Sequence, residues 1–195
     1  MRPTQITLGY THMRDKMAVT RKHQDAGDRA ALRRFLRSHR IKTVVGPGGA
    51  LFIVDHHHWA RAWSELGLRR APVRIMRDLS RLDPDAFWKR MRALCYVHPY
   101  DELGKRRGVD ALPASVMGMR DDPYRSLAAF ARQSGAYRKP PNARGDFRWA
   151  GFLRERIEED MSSIGGFALA LTQAIRLARG GAARRLPGYC GGAAR

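Results

Sequence analysis

This sequence predicts an α+β fold, and three observations lead there. Short β-favouring runs stand at residues 3–8, 44–45, 51–54 and 72–76. Apolar residues at helical spacing lie between and after them. Turn chemistry punctuates the two patterns, at Gly46-Pro47-Gly48-Gly49 and at the Asp83-Pro84 and Asp122-Pro123 pairs. The order strand, helix, helix, hairpin, helix, strand makes an α+β core over about residues 1–80. Residues 81–179 read as a helical C-terminal part packed on that core, because their apolar stripes hold too little material to enclose themselves. Residues 180–195 form a flexible Gly/Ala/Arg-rich tail without periodicity.

In chain order, residues 3–8 alternate polar and apolar as a short opening strand that Gly9 breaks. Thr11 is placed to cap a first helix carrying Met13 and Met17 on one face. Asp28 caps a second, whose buried stripe is Leu32, Phe35, Leu36 and His39. The opposite side of that helix holds Arg29, Arg33, Arg34, Arg37 and Arg40, a face suited to solvent or to a phosphate backbone. After the hairpin, the period changes at Trp59: Trp59, Ala62, Trp63 and Leu66 share one helical face, and Gly67 closes it. A strand returns at 72–76. Asp83-Pro84 opens a helix with Phe87, Met91 and Leu94, and residues 96–118 are loop-like. Asp122-Pro123 opens another helix, burying Leu127, Phe130 and Ala131 and stopping near Gly135. The last two helices carry the stripes Trp149, Leu153, Ile157 and Phe167, Leu171, Ile175.

Charge narrows the partners. The 195 residues contain 37 Lys and Arg against 18 Asp and Glu, a net charge of +19. Such a surplus favours a polyanion, most simply nucleic acid or nucleotides. Cys95 and Cys190 are too few and too distant for a disulfide framework or a zinc motif. No apolar run approaches the roughly 20 residues of a membrane helix, and the N-terminus lacks the apolar core of a signal peptide. The expectation is a cytoplasmic protein without a membrane partner.

The chemistry concentrates where the strand at 51–54 meets the following helix. Asp55-His56-His57-His58 stands at that junction. Unpaired backbone N–H groups and the positive end of the helix dipole favour an anion such as phosphate there. Histidine's ordinary pKa of about 6.5 suits it to general-base work near neutrality. Asp55, His56, His57 and His58 are therefore the candidate catalytic residues. Asp55 and His58, three apart, are the pair able to share Mg²⁺ or another divalent metal.

The chain resembles the ParB-like nuclease branch of the ParB/sulfiredoxin-fold superfamily. The matching pieces are Pro3-Thr4-Gln5 with Gly9 and Lys16, Gly46-Pro47-Gly48-Gly49, Ile53-Val54-Asp55-His56-His57-His58 and Phe87-Trp88. They continue with Asp121-Asp122-Pro123-Tyr124-Arg125-Ser126-Leu127-Ala128, Phe147-Arg148-Trp149-Ala150 and Leu186-Pro187-Gly188-Tyr189. The resemblance implies a small mixed sheet with helices and a phosphate or nucleotide at the strand-to-helix loop, with Lys16, Gln5 and Arg125 as phosphate-binding positions. It implies a nucleic-acid-associated protein, a nuclease or phosphodiesterase. The alternatives are a nucleotide-dependent small-metabolite kinase resembling free serine kinase, and a non-catalytic DNA-binding module. Sulfiredoxins carry a cysteine in this loop and ParB proteins an arginine, and this chain has neither there.

Overall fold

A computed structural model describes residues 1–191, and contacts divide the chain into two units, 1–121 and 122 onward. In the first unit the sheet runs β1-β4-β3-β5, from β1 (Arg2–Pro3), β3 (Ile41–Val45), β4 (Leu51–Asp55) and β5 (Val73–Asp78). The β3–β4 hairpin is antiparallel, whereas β1 lies parallel to β4 and β5 parallel to β3, so the sheet is mixed. The expected single opening strand is two pieces. Between β1 and β2 (Thr7–Leu8) the chain leaves the sheet, and β2 pairs instead with β6 (Arg120–Asp121).

The hairpin turn follows its glycines. Gly48 and Gly49 take φ of 66° and 74°, the left-handed region open to glycine. A Cβ on Gly46 would lie 2.5 Å from the Phe52 ring, so that position also needs glycine.

Side-chain alternation along β3 and β4 divides the core between the two faces of the sheet. Ile41 and Ile53 pack with Leu36, Trp59 and Trp63 of the helices α2 (Arg29–Ser38) and α3 (His57–Glu65). Val44, Phe52 and Val54 pack with Phe87 and Met91 of α4 (Pro84–Ala93). The helix α1 (Tyr10–Asp25) meets α3 through Met13 and Ala62, and Trp63 Nε1 donates to Thr20 Oγ1 at 3.2 Å.

Capping follows local chemistry where the partner is near in sequence. Asp28 accepts from Ala30 and Ala31 N–H, and Asp83 accepts from Ala86 N–H. The first helix is the exception. It begins at Tyr10, with Thr11 inside it, and Tyr10 N–H is met by Asp121 Oδ1 at 2.7 Å. A cap 111 residues away is invisible to a local reading.

The core of the first unit continues past residue 80. Phe87, Met91, Val97 and Met119 are all buried within it. Residues 96–118 are irregular as expected but firmly held: buried Asp101 accepts from Leu103 and Lys105 N–H and from Arg107 Nε. Arg61 of α3 donates to the Val116, Met117 and Met119 carbonyls.

The second unit is helical: α5 (Pro123–Gln133), α6 (Ala143–Arg154) and α7 (Ile164–Arg179). Its core joins Leu127, Trp149, Leu153 and Ile157, with Tyr137 stacked on Trp149 at 3.8 Å. The face that α7 buries completely is Ala170, Ala174 and Ala178, while Phe167, Leu171 and Ile175 flank it half-buried. Alanines let the helix backbone approach closely. Part of the expected tail belongs to this unit. Ala183 is fully buried, Leu186 and Tyr189 pack on the core, and Trp149 Nε1 donates to the Pro187 carbonyl at 2.8 Å. The remainder of that tail, 192–195, lies outside the described residues.

Candidate active site

The β4–α3 turn is built on one residue. His56 takes φ 69° and ψ 30°, left-handed backbone that ends the strand and starts the helix in a single step. The helix therefore begins two residues earlier than the Trp59 period suggests. His57 and His58 form its first turn instead of a loop, so the three imidazoles point to three different places.

His56 is half-buried. Its Nδ1 meets the Arg40 carbonyl at 2.7 Å, and because a carbonyl only accepts, Nδ1 carries the proton. That leaves Nε2 as the acceptor of the neutral ring, with no partner of its own among the described residues. His57 is buried, and its Nε2 accepts from Thr4 N–H at 3.2 Å. His58 Nε2 accepts from Gly9 N–H at 3.1 Å, at the start of α1, and its ring lies 4.5 Å from that of buried His12. In both, the Nε2 lone pair is occupied by a backbone donor. These two rings fasten the segment between β1 and α1 to α3.

Asp55 is also engaged. Its Oδ2 accepts from Lys42 Nζ at 2.6 Å and its Oδ1 from His56 N–H at 2.7 Å. A register break between Lys42 and Thr43 sets Lys42 opposite Asp55 across the hairpin. Burial pushes this carboxyl up, but the Lys42 hydrogen bond and the charges of His56 and Lys42 outweigh it and hold it below the ordinary value.

The expected metal pair does not assemble. Both Asp55 oxygens and His58 Nε2 already have protein partners, and among the described residues no group of three or more His, Cys, Asp or Glu side chains gathers to hold an ion. A preformed divalent site on Asp55 and His58 does not fit this geometry.

The three expected phosphate residues stand on different elements. Lys16 on α1 pairs with Asp15 at 3.0 Å and lies 5.2 Å from the Trp59 ring centre, close to α3. Gln5 is buried, opposite His98 in an isolated bridge, and its Oε1 has no hydrogen bond. Arg125 belongs to the second unit. It is buried with its guanidinium 3.7 Å from the Phe147 ring, and burial pushes its pKa down against the pull of Asp146 and Asp122.

Sequence reasoning missed Lys42 and His12, and it named Arg40, Thr4 and Gly9 without their contacts to the histidines. A signal existed for His12, which precedes Lys16 by four on one helix and so shares its face. It existed too for Lys42, which faces Asp55 once the hairpin is registered about its glycine turn. Nothing local marks the Arg40 carbonyl or the Thr4 and Gly9 amides. The basic face of α2 is as expected: Arg29, Arg33, Arg34 and Arg37 are exposed, and Arg34 nears an acid, Asp28, at 4.0 Å. The helix leads directly into Arg40, on which His56 is held.

The family model described as "Putative ParB-like nuclease" matches residues 1–155. The crystal structure of protein Atu1540 from Agrobacterium tumefaciens is similar, with a TM-score of 0.82 and 34% identity, covering 98% of this chain and 94% of that one. No curated protein matches the chain. No helix among the described residues is long and apolar enough to cross a membrane.

Proposed function

Because the chain belongs to the ParB-like nuclease family, we propose that it binds nucleic acid through phosphates and cleaves a phosphodiester at the β4–α3 turn, with His56 as general base. The observation that carries this reading is the state of the His56 ring. The Arg40 carbonyl fixes its tautomer through Nδ1, which leaves Nε2 able to take a proton from an attacking water. Arg40, whose carbonyl holds His56, follows shortly after the end of basic α2, so phosphates tracking that helix are led toward the same ring. Asp55, locked between Lys42 and the His56 amide, orients the turn.

A second reading, a binding module without catalysis, is favoured by a different observation. Two of the three imidazoles spend their Nε2 lone pairs on Thr4 and Gly9, as structural fastenings do.

One experiment separates the two. His56→Gly and His56→Asn both tolerate a left-handed backbone, so they remove the imidazole while keeping the turn. Duplex DNA binding and cleavage are measured for both and for Arg33→Gln/Arg37→Gln, across salt, with Mg²⁺ and with EDTA. Cleavage should fall about 10²–10⁴-fold in the His56 variants while binding persists. The arginine variant should weaken binding and flatten its salt dependence. Binding with no cleavage by any form selects the module, and no DNA or RNA binding at low salt refutes both. Nucleotide turnover without nucleic acid would point to the kinase alternative.

A further inference from the structure

A cleft of about 210 Å³ in the first unit lies away from the histidine turn in sequence, lined by Arg92, Val97, Pro99, Arg106, Arg107 and Val109. It forms where the C-terminal end of α4 meets the irregular segment after it. Three arginines thus share the lining with the apolar side chains of Val97, Pro99 and Val109. Arg92 and Arg106 are exposed, and their side chains pair with no acid among the described residues. Arg107 is fixed differently: its Nε and Nη2 both reach Oδ2 of Asp101, at 2.7 and 2.6 Å, and that carboxylate is buried. The pairing leaves Nη1 of this guanidinium without a partner among the described residues. Arg107 N–H also donates to the Pro99 carbonyl at 2.8 Å, which ties the basic wall to the apolar floor.

Like charges gathered around one cleft repel, and an anion bound among them relieves that repulsion. Against these three arginines stand two nearby carboxylates, which leaves the balance positive: Asp101 is taken by Arg107, and both Asp110 oxygens lie within 4 Å of where a Cβ on the lining residue Gly108 would be. Guanidinium groups match the planar oxygen pairs of phosphate, and the aliphatic floor needs an organic body to cover. The volume lies below that of a drug-sized pocket, which suits one phosphoryl group and the near part of its ester.

We propose that this cleft binds a phosphate monoester, either a free nucleotide or the phosphorylated end of a strand, with its organic part on Val97, Pro99 and Val109. The assignment does not rest on the role of His56.

The test is calorimetric titration of the full chain with adenosine monophosphate, adenosine, inorganic phosphate, and a short oligonucleotide with or without a 5′-phosphate. It is repeated on Arg92→Gln, Arg106→Gln, their double variant and His56→Gly, with thermal melts to establish folding. Both arginines are exposed, so the variants should stay folded. The monophosphate should bind, adenosine at least about tenfold more weakly, and each substitution should cost about tenfold, as a charge-assisted hydrogen bond does. Stronger binding of the 5′-phosphorylated than of the 5′-hydroxyl strand identifies strand ends as the source; no difference between them identifies free nucleotide. Four outcomes overturn the proposal: no binding of the monophosphate, equal binding of adenosine, equal binding of inorganic phosphate, or binding that survives the double arginine variant.

Discussion

The contrast among three adjacent histidines is a contrast of hydrogen-bond partners. His57 and His58 accept from backbone N–H groups that would otherwise be unmet, and an unmet buried amide costs about 1–3 kcal/mol. His57 is buried to 3% exposure, so its removal also leaves a cavity. We therefore expect His57→Ala to destabilise the protein by about 2–4 kcal/mol. His56→Gly should be close to neutral, because the backbone there already occupies glycine's preferred region. Paired denaturant melts check this, and similar losses in both variants would contradict the division of roles.

At the scale of elements, the segment between α4 and β6 is organised by one carboxylate. Asp101 accepts from two backbone amides and from Arg107, and it is 3% exposed. Its burial pushes the carboxyl up, but the Lys105 and Leu103 amides and the Arg107 charge together hold it below the ordinary value. A depressed folded pKa adds stability that is fully present above the unfolded value of about 3.9 and is lost as pH falls through the folded one. The wild type should thus lose stability from about pH 5 downward, and Asp101→Asn should be weaker at pH 7 with a flatter acid profile. Equal acid slopes in thermal melts would remove Asp101 from that role. What could be read from the sequence divides along the same line. Asp28, Asp83 and the hairpin glycines act on their immediate neighbours, so a local pattern reveals them. The α1 cap by Asp121, the Lys42–Asp55 pair and the His56–Arg40 contact depend on chain closure. The histidine turn is legible because four titratable residues stand together at a strand end. Its internal division was hidden, since one left-handed residue turns the next two into a helix.

At the scale of the molecule, contacts separate after Asp121, whereas composition changes near residue 80. The difference has a packing cause. One face of the β3–β4 hairpin offers Val44, Phe52 and Val54, and nothing within residues 1–80 covers them as α4 does. Phe87 and Met91 are 1% and 0% exposed, and burying each such side chain contributes about 1.5–3 kcal/mol. Val97 and Met119 are buried in the same unit, and β6 supplies the only strand partner of β2 among the described residues. Removing all of these takes away an amount comparable to the whole stability of a small domain, about 5–15 kcal/mol. The Asp121 cap on α1 is lost as well. A chain ending at residue 80 should therefore fail to fold and should aggregate through the uncovered hairpin face. A chain ending at residue 121 retains every one of these contacts and should melt as a single cooperative transition. Circular dichroism melts and sedimentation of the two truncations decide the matter: a soluble, cooperatively melting 1–80 would show that the sheet does not depend on α4.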